Sequence, residues 1–97
     1  MKFLQTIAWK TSRPDEMRAA SARFQAENPD PQPGFLGLKM LKDRDQEGMY
    51  LVIAEFESYD LAMQNSARPE VDAFSKEMMA LADEPPVFGN YDVTDEM

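Results

Sequence analysis

Three features of the chain predict an α+β fold in which a four-stranded antiparallel sheet carries its helices on one face. The first is the order of patterned segments: strand, helix, strand, strand, helical region, strand. The second is the run MYLVIAEF at Met49–Phe56, which is apolar on both faces for most of its length. Side chains alternate along a strand, so Tyr50, Val52, Ala54 and Phe56 point one way and Met49, Leu51 and Ile53 the other. The third is length: 97 residues suit one domain, 1–97, and leave no room for a second core. The order βαββαβ is that of the ferredoxin-like fold.

Each element has its own justification. Phe3 to Lys10 reads as the first strand, with Phe3, Gln5, Ile7 and Trp9 on one face. TSRPDE follows as a helix start, where Ser12 is the expected cap, with Asp15 three residues on, and Pro14 fits the first turn. The helix is expected from Pro14 to Glu27, burying Met17, Ala20 and Phe24. Three prolines and a glycine in ENPDPQPG stop it and form a loop. Gly34 to Lys42 is the second strand, and DRDQEG turns the chain into the third, with Gly48 supplying a positive φ. ESYD opens the second helical region, with Ser58 or Asp60 as cap. Pro69 divides that region into a short helix, Tyr59 to Ser66, and a longer one from Pro69 to about Ala82. Val71, Phe74, Met78 and Leu81 form the apolar stripe of the longer piece. Val87 to Val93 completes the sheet before an acidic tail.

Right-handed crossovers place both helical regions on the same side, so the reverse sheet face is bare in a single subunit. Leaving large apolar side chains wet forfeits about 1.5–3 kcal/mol each. A contiguous patch of that size marks an interface. The expected solution is a second copy, with two sheets packed face to face as a homodimeric α+β barrel.

Composition narrows the function. Ten basic residues stand against 18 acidic ones, a net charge of −8, and the basic residues are scattered. Nucleic acid and anionic membrane surfaces are therefore unsuited as partners. No apolar run approaches the roughly 20 residues of a membrane span. The chain has no cysteine and no histidine. Thiolate and imidazole metal sites are excluded, a Ser-His-Asp arrangement is impossible, and a reducing, cytoplasmic setting is the expectation. DRDQE lacks the glycine and distal glutamate of a calcium loop, and the glycines of GFLGLK sit in a strand pattern, not a phosphate loop.

The segment FESYDLAMQNSARPEVDAFSKEMMALADEPPVF resembles the second half of the antibiotic biosynthesis monooxygenase family of small dimeric α+β barrels. The shared features are an aromatic at Phe56, then Ser58, a short helix, a small-x-Pro-x-apolar-x-x-Phe pattern over Ala67 to Phe74, and the final PPVFGNYDV. Relatives of this fold include cofactor-free oxygenases of phenolic polyketides, haem-degrading enzymes, small-ring isomerases and proteins with no known reaction.

The resemblance implies a cofactor-free oxygenase in which Asn65, four residues before Pro69, holds a phenol or phenolate oxygen while the electron-rich ring reduces dioxygen. Family members often carry a Trp one turn beyond that amide, where this chain has Pro69. Trp9 is the alternative pocket aromatic, or else a core or interface residue. Phe74 and Met78 are the expected ring-packing residues, with Tyr50 and Asn90 as polar partners of a small aromatic or apolar ligand. Haem-degrading relatives use a histidine ligand that this chain lacks, so no metal and no cofactor is expected. Glu55 falls on the Met49–Leu51–Ile53 face, as a buried base, or at the sheet edge, or paired across the dimer with Lys39. The expected function is oxidation of a small phenolic or quinol-like compound. The alternatives are a non-catalytic small-molecule-binding or stress-response barrel, a structural dimer with a filled interior, and a small-ring isomerase.

Overall fold

Alternation along the central strands decides which sheet face the helices cover. A computed structural model describes residues 1–30 and 32–97. Its elements are β1 (Phe3–Lys10), α1 (Pro14–Glu27), β2 (Phe35–Lys42), β3 (Met49–Phe56), α2 (Tyr59–Ser66), α3 (Pro69–Leu81) and β4 (Val87–Asp92). The strands form one sheet in the order β2-β3-β1-β4, with every neighbouring pair antiparallel. This is the ferredoxin-like α+β fold.

In β1 and β3 the register sets Phe3 opposite Phe56, Gln5 opposite Ala54, Ile7 opposite Val52 and Trp9 opposite Tyr50. That row faces the helices. Trp9 and Val52 are buried with Met17, Ala20 and Met78 at one end of the sheet, where Ile7, Tyr50, Phe74, Leu81 and Ala82 pack around them. Phe3, Ala54 and Phe56 are buried with Ala62 at the other end. The opposite row, including Leu4, Leu51 and Ile53, is only half-buried and meets no helix. β2 is an edge strand with Leu38, Met40 and Leu41 exposed. A bulge between Phe35 and Gly37 keeps Phe35 facing Phe56 while Leu38 faces Ala54, so both stay on the helix side.

Most expected boundaries hold within a residue; β2 begins at Phe35, α3 ends at Leu81 and β4 ends at Asp92. The cap of α1 differs. Arg13 occupies the cap position without a side-chain cap bond, because the Ser12 hydroxyl donates to Asp83 instead, at 3.1 Å. Thr11 does the joining work: its hydroxyl donates to the Leu81 carbonyl at 2.8 Å and accepts from the Arg13 N–H at 3.0 Å. The start of α1 is thereby tied to the end of α3. At its other end α1 is closed by Asn28, whose side-chain amide and backbone N–H both donate to the Phe24 carbonyl. Pro31, one of the three prolines expected to stop α1, lies outside the described residues.

Ser58 caps α2, its oxygen accepting from the Leu61 N–H. The β2–β3 turn is an Asx turn, with Asp43 Oδ1 accepting from the N–H groups of Asp45 and Gln46. Gly48 closes that turn at φ 78°. Gly34 enters β2 at φ 77°, and a Cβ there would lie 2.6 Å from Leu61 Cδ1.

Two stability outcomes follow from these joints. Gly34→Ala combines a left-handed backbone with a clash against α2, and denaturant titration should show a loss of about 1–3 kcal/mol. Thr11→Val keeps the shape of a residue only 2% exposed but strands the Leu81 carbonyl and the Arg13 N–H. A loss of about 1–3 kcal/mol is expected in the same titration, and an unchanged midpoint would count against the tie.

Candidate functional site

The residues expected to form a site divide among three places. Trp9, Met78, Phe74 and Tyr50 come together beneath α1 and α3. β1 and β3 bring Trp9 and Tyr50 side by side, and the helical spacing of Phe74 and Met78 puts both on the sheet-facing side of α3. Trp9 is 4% exposed, and its indole Nε1–H is buried with no hydrogen-bond partner. Phe74 stacks on Phe24 of α1 at a centroid distance of 4.5 Å. The interior here is filled by side chains.

Asn65 belongs to neither hydrophobic cluster. It lies in the last turn of α2, 9% exposed, and its Oδ1 accepts a long hydrogen bond of 3.5 Å from Arg68 Nη1. Its side chain is thus tied to Arg68 and not to its own helix backbone. Arg68 in turn donates from Nε to Glu70 at 2.7 Å, with Nη2 2.6 Å from the same oxygen. The Glu70 carboxyl is held below the usual carboxylate range, first by a hydrogen bond from its own backbone N–H and then by the Arg68 guanidinium. Glu70 therefore stays ionised at neutral pH and keeps the guanidinium in place. Asn65, Arg68 and Glu70 form a polar chain across the α2–α3 junction.

Asn90 stands apart on the edge strand β4, accepting from Gln5 Nε2 at 3.5 Å. With Phe3, Tyr59, Tyr91 and Asp92 it lines an open groove of about 310 Å³. Phe3 and Tyr59 meet edge to face at 5.2 Å. Tyr91, 57% exposed, lies over Gly89, where a Cβ would come 2.6 Å from the ring. A second cleft of about 200 Å³ opens between α1 and α3, with Ala20, Phe24 and Phe74 among its lining. Asn65 lines neither space.

Glu55 is a surface residue of the reverse sheet face. Its register neighbours are Leu4 and Gly37, and Lys2 Nζ is 3.7 Å from its carboxylate. Lys2 also pairs with Glu96 at 3.1 Å, and that hydrogen bond raises the lysine pKa. Among the described residues, no cluster of three acidic side chains is placed to hold a metal ion, and no helix is long and apolar enough to cross a membrane.

No protein-family profile matches the chain, and no curated protein matches it. Solved structures do. SnoaB, a cofactor-independent oxygenase from Streptomyces nogalater, matches in an asparagine-to-alanine variant form with a TM-score of 0.84 and 22% identity, covering 99% of this chain and 96% of that one. The chain has the fold of the antibiotic biosynthesis monooxygenases. A Caulobacter crescentus CB15 protein, named as a candidate antibiotic biosynthesis monooxygenase, matches at 0.82 and 18% identity, covering 97% of this chain and 91% of that one. Rv0793 from Mycobacterium tuberculosis matches at 0.78 and 14% identity, over 99% and 98%.

Tyr91, a strand tyrosine that the sequence offers for proton transfer along with Tyr50, Lys39 and Glu55, lies in the groove with Asn90. The expected site residues omitted Arg68 and Glu70, which meet the Asn65 amide, and Tyr59 and Asp92, which line that groove. The first pair had a local signal: an arginine three residues beyond Asn65 reaches back over the helix end. The second pair had none, because Tyr59 and Asp92 are brought together only by the fold.

Proposed function

We propose that the protein is a cofactor-independent monooxygenase of a small phenolic or quinol-like compound, acting as a homodimer in the cytoplasm. The observation that supports this most is the end-to-end fold match with a cofactor-independent oxygenase. The reaction needs no external reductant. A phenol and dioxygen give a quinone and water: one oxygen atom enters the ring, the other leaves as water, and all four electrons come from the ring.

Asn65 is the proposed contact to the substrate oxygen. An amide offers an acceptor oxygen and two N–H donors. With Oδ1 turned to Arg68, the Nδ2 end is the one offered to a phenol or phenolate. The nearby guanidinium favours the anionic form, which is the form that gives up an electron most readily. Trp9, Phe74 and Met78 supply apolar packing, Tyr50 is the polar group nearest them, and Asn90 is the polar contact of the β4 groove.

The second copy is proposed to cover the reverse sheet face. Leu4, Leu51 and Ile53 are half-exposed there, with Leu41, Val87 and Tyr91 more open still. Contiguous apolar side chains left open on one face are what marks an interface.

A second reading, a non-catalytic ligand-binding or stress-response barrel, is favoured by the filled interior around Trp9. Oxygen uptake separates the two. With dihydroxyaromatic substrates in air, the protein should consume oxygen above the uncatalysed rate. Asn65→Ala should lower that turnover tenfold or more while moving the thermal midpoint little, since the bond it loses is long. No uptake over a panel of mono- and dihydroxyaromatics would leave the binding reading. For the assembly, sedimentation should give a dimer at micromolar concentration, and Leu51→Glu should give folded single subunits. A wild-type monomer would remove the partner from the proposal.

A further inference from the structure

Trp9 Nε1 is the one buried side-chain polar atom without a hydrogen-bond partner among the described residues. Leaving a buried donor unpaired is costly, so such a group in a native core calls for an acceptor. Water is a poor candidate. A buried water holds with two to four polar partners, and Trp9 packs in a cluster with Met17, Ala20, Val52, Met78, Phe74 and Leu81. Tyr50, packed against that cluster, brings a hydroxyl. An oxygen carried on an apolar body suits this environment better than water does.

The cleft between α1 and α3 borders this cluster: Ala20 and Phe74 line the cleft and also pack with Trp9, which itself lies behind them. Ala20 puts only a methyl group at this position. Met17 and Met78, which lie with it around the indole, are unbranched and repack readily. An ion pair between Arg23 and Glu77 joins the two helices beside the cleft.

We propose that the Trp9 indole N–H is the anchoring donor for the ring oxygen of a neutral, single-ring phenol or quinol that enters between α1 and α3. This rests on the proposed function only for the choice of a hydroxyaromatic; Asn65 lines neither cleft, so the oxygen held here is a different contact from the one proposed for Asn65. The cleft is small, about 200 Å³ against the roughly 300 Å³ at which pockets for larger ligands begin, which favours a single ring. Of its acidic lining, Glu70 is paired with Arg68 and Glu77 with Arg23, and Glu27 adds a negative charge that disfavours a carboxylated ring.

The chain has a single tryptophan, so its indole N–H gives one resonance in a ¹⁵N-labelled sample. Titration of the full-length protein with 4-methylphenol should move that resonance downfield and saturably. Toluene, equal in size but without the oxygen, should not, and 4-hydroxybenzoate should bind at least about tenfold more weakly. Trp9→Phe should weaken 4-methylphenol binding about tenfold, the equivalent of one hydrogen bond of about 1.4 kcal/mol. An indole resonance unmoved by saturating 4-methylphenol, or moved equally by toluene, overturns the proposal whether or not Trp9→Phe folds. Oxygen uptake is read separately. A moved resonance without uptake keeps the anchor and removes the oxygenase; uptake with an unmoved resonance does the reverse.

Discussion

The constraint on which the rest depends is that β1 and β3, the two central strands, are apolar on both faces while one subunit's helices can cover only one. Phe3, Ile7 and Trp9 with Val52, Ala54 and Phe56 form the covered row. Right-handed crossovers put α1 and α3 over this row, and Met17, Ala20 and Met78 bury against it. The uncovered row gains nothing from this arrangement. At about 25 cal/mol per Å² of apolar surface, a strand pair of this kind has a substantial incentive to cover the remainder.

The same constraint distributes the chemistry. Hydrophobic side chains collect in two clusters at the two ends of the sheet, one under Ala62 of α2 and one under Met78 of α3. Phe3 and Trp9, which head these clusters, are six residues apart on one strand, about 20 Å. Polar groups are left to the joints between elements. Asn65, Arg68 and Glu70 occupy the α2–α3 junction, where Pro69 breaks the helix and frees backbone donors. Thr11, Ser12 and Arg13 occupy the junction of β1 with α1, where they bind the end of α3. Rigid joints of this sort are what hold an amide in one orientation.

How much of this was legible in the sequence depends on how local the signal is. The strand faces were legible because alternation in Phe3–Lys10 and Met49–Phe56 is a property of consecutive residues. The prolines at 14 and 69 marked helix starts for the same reason. The α1 cap was not legible, since the Ser12 hydroxyl is drawn to Asp83, 71 positions away. The bulge at Leu36 was not legible either, because GFLG carries no local cue for where pairing slips. For the site, Trp9, Tyr50, Phe74 and Met78 were named from the sequence and do lie together, yet the unpaired indole N–H could not be read there. It is a statement about what surrounds one atom, and those neighbours come from β1, β3, α1 and α3.

A filled interior and a ligand site are compatible when the filling is of the right kind. Were stiff neighbours such as Val52 and Leu81 the only ones around the indole, opening a space would cost the full loss of close packing. Two methionines and an alanine impose less, since thioether side chains change shape at small cost and the alanine occupies little volume. The donor gains a partner on binding, which offsets part of the packing lost when the methionines part. A ligand without an acceptor would meet the same packing cost and receive no such return. Selectivity for an oxygen-bearing ring over a bare hydrocarbon then comes from the protein's own unsatisfied group, not from a preformed hole.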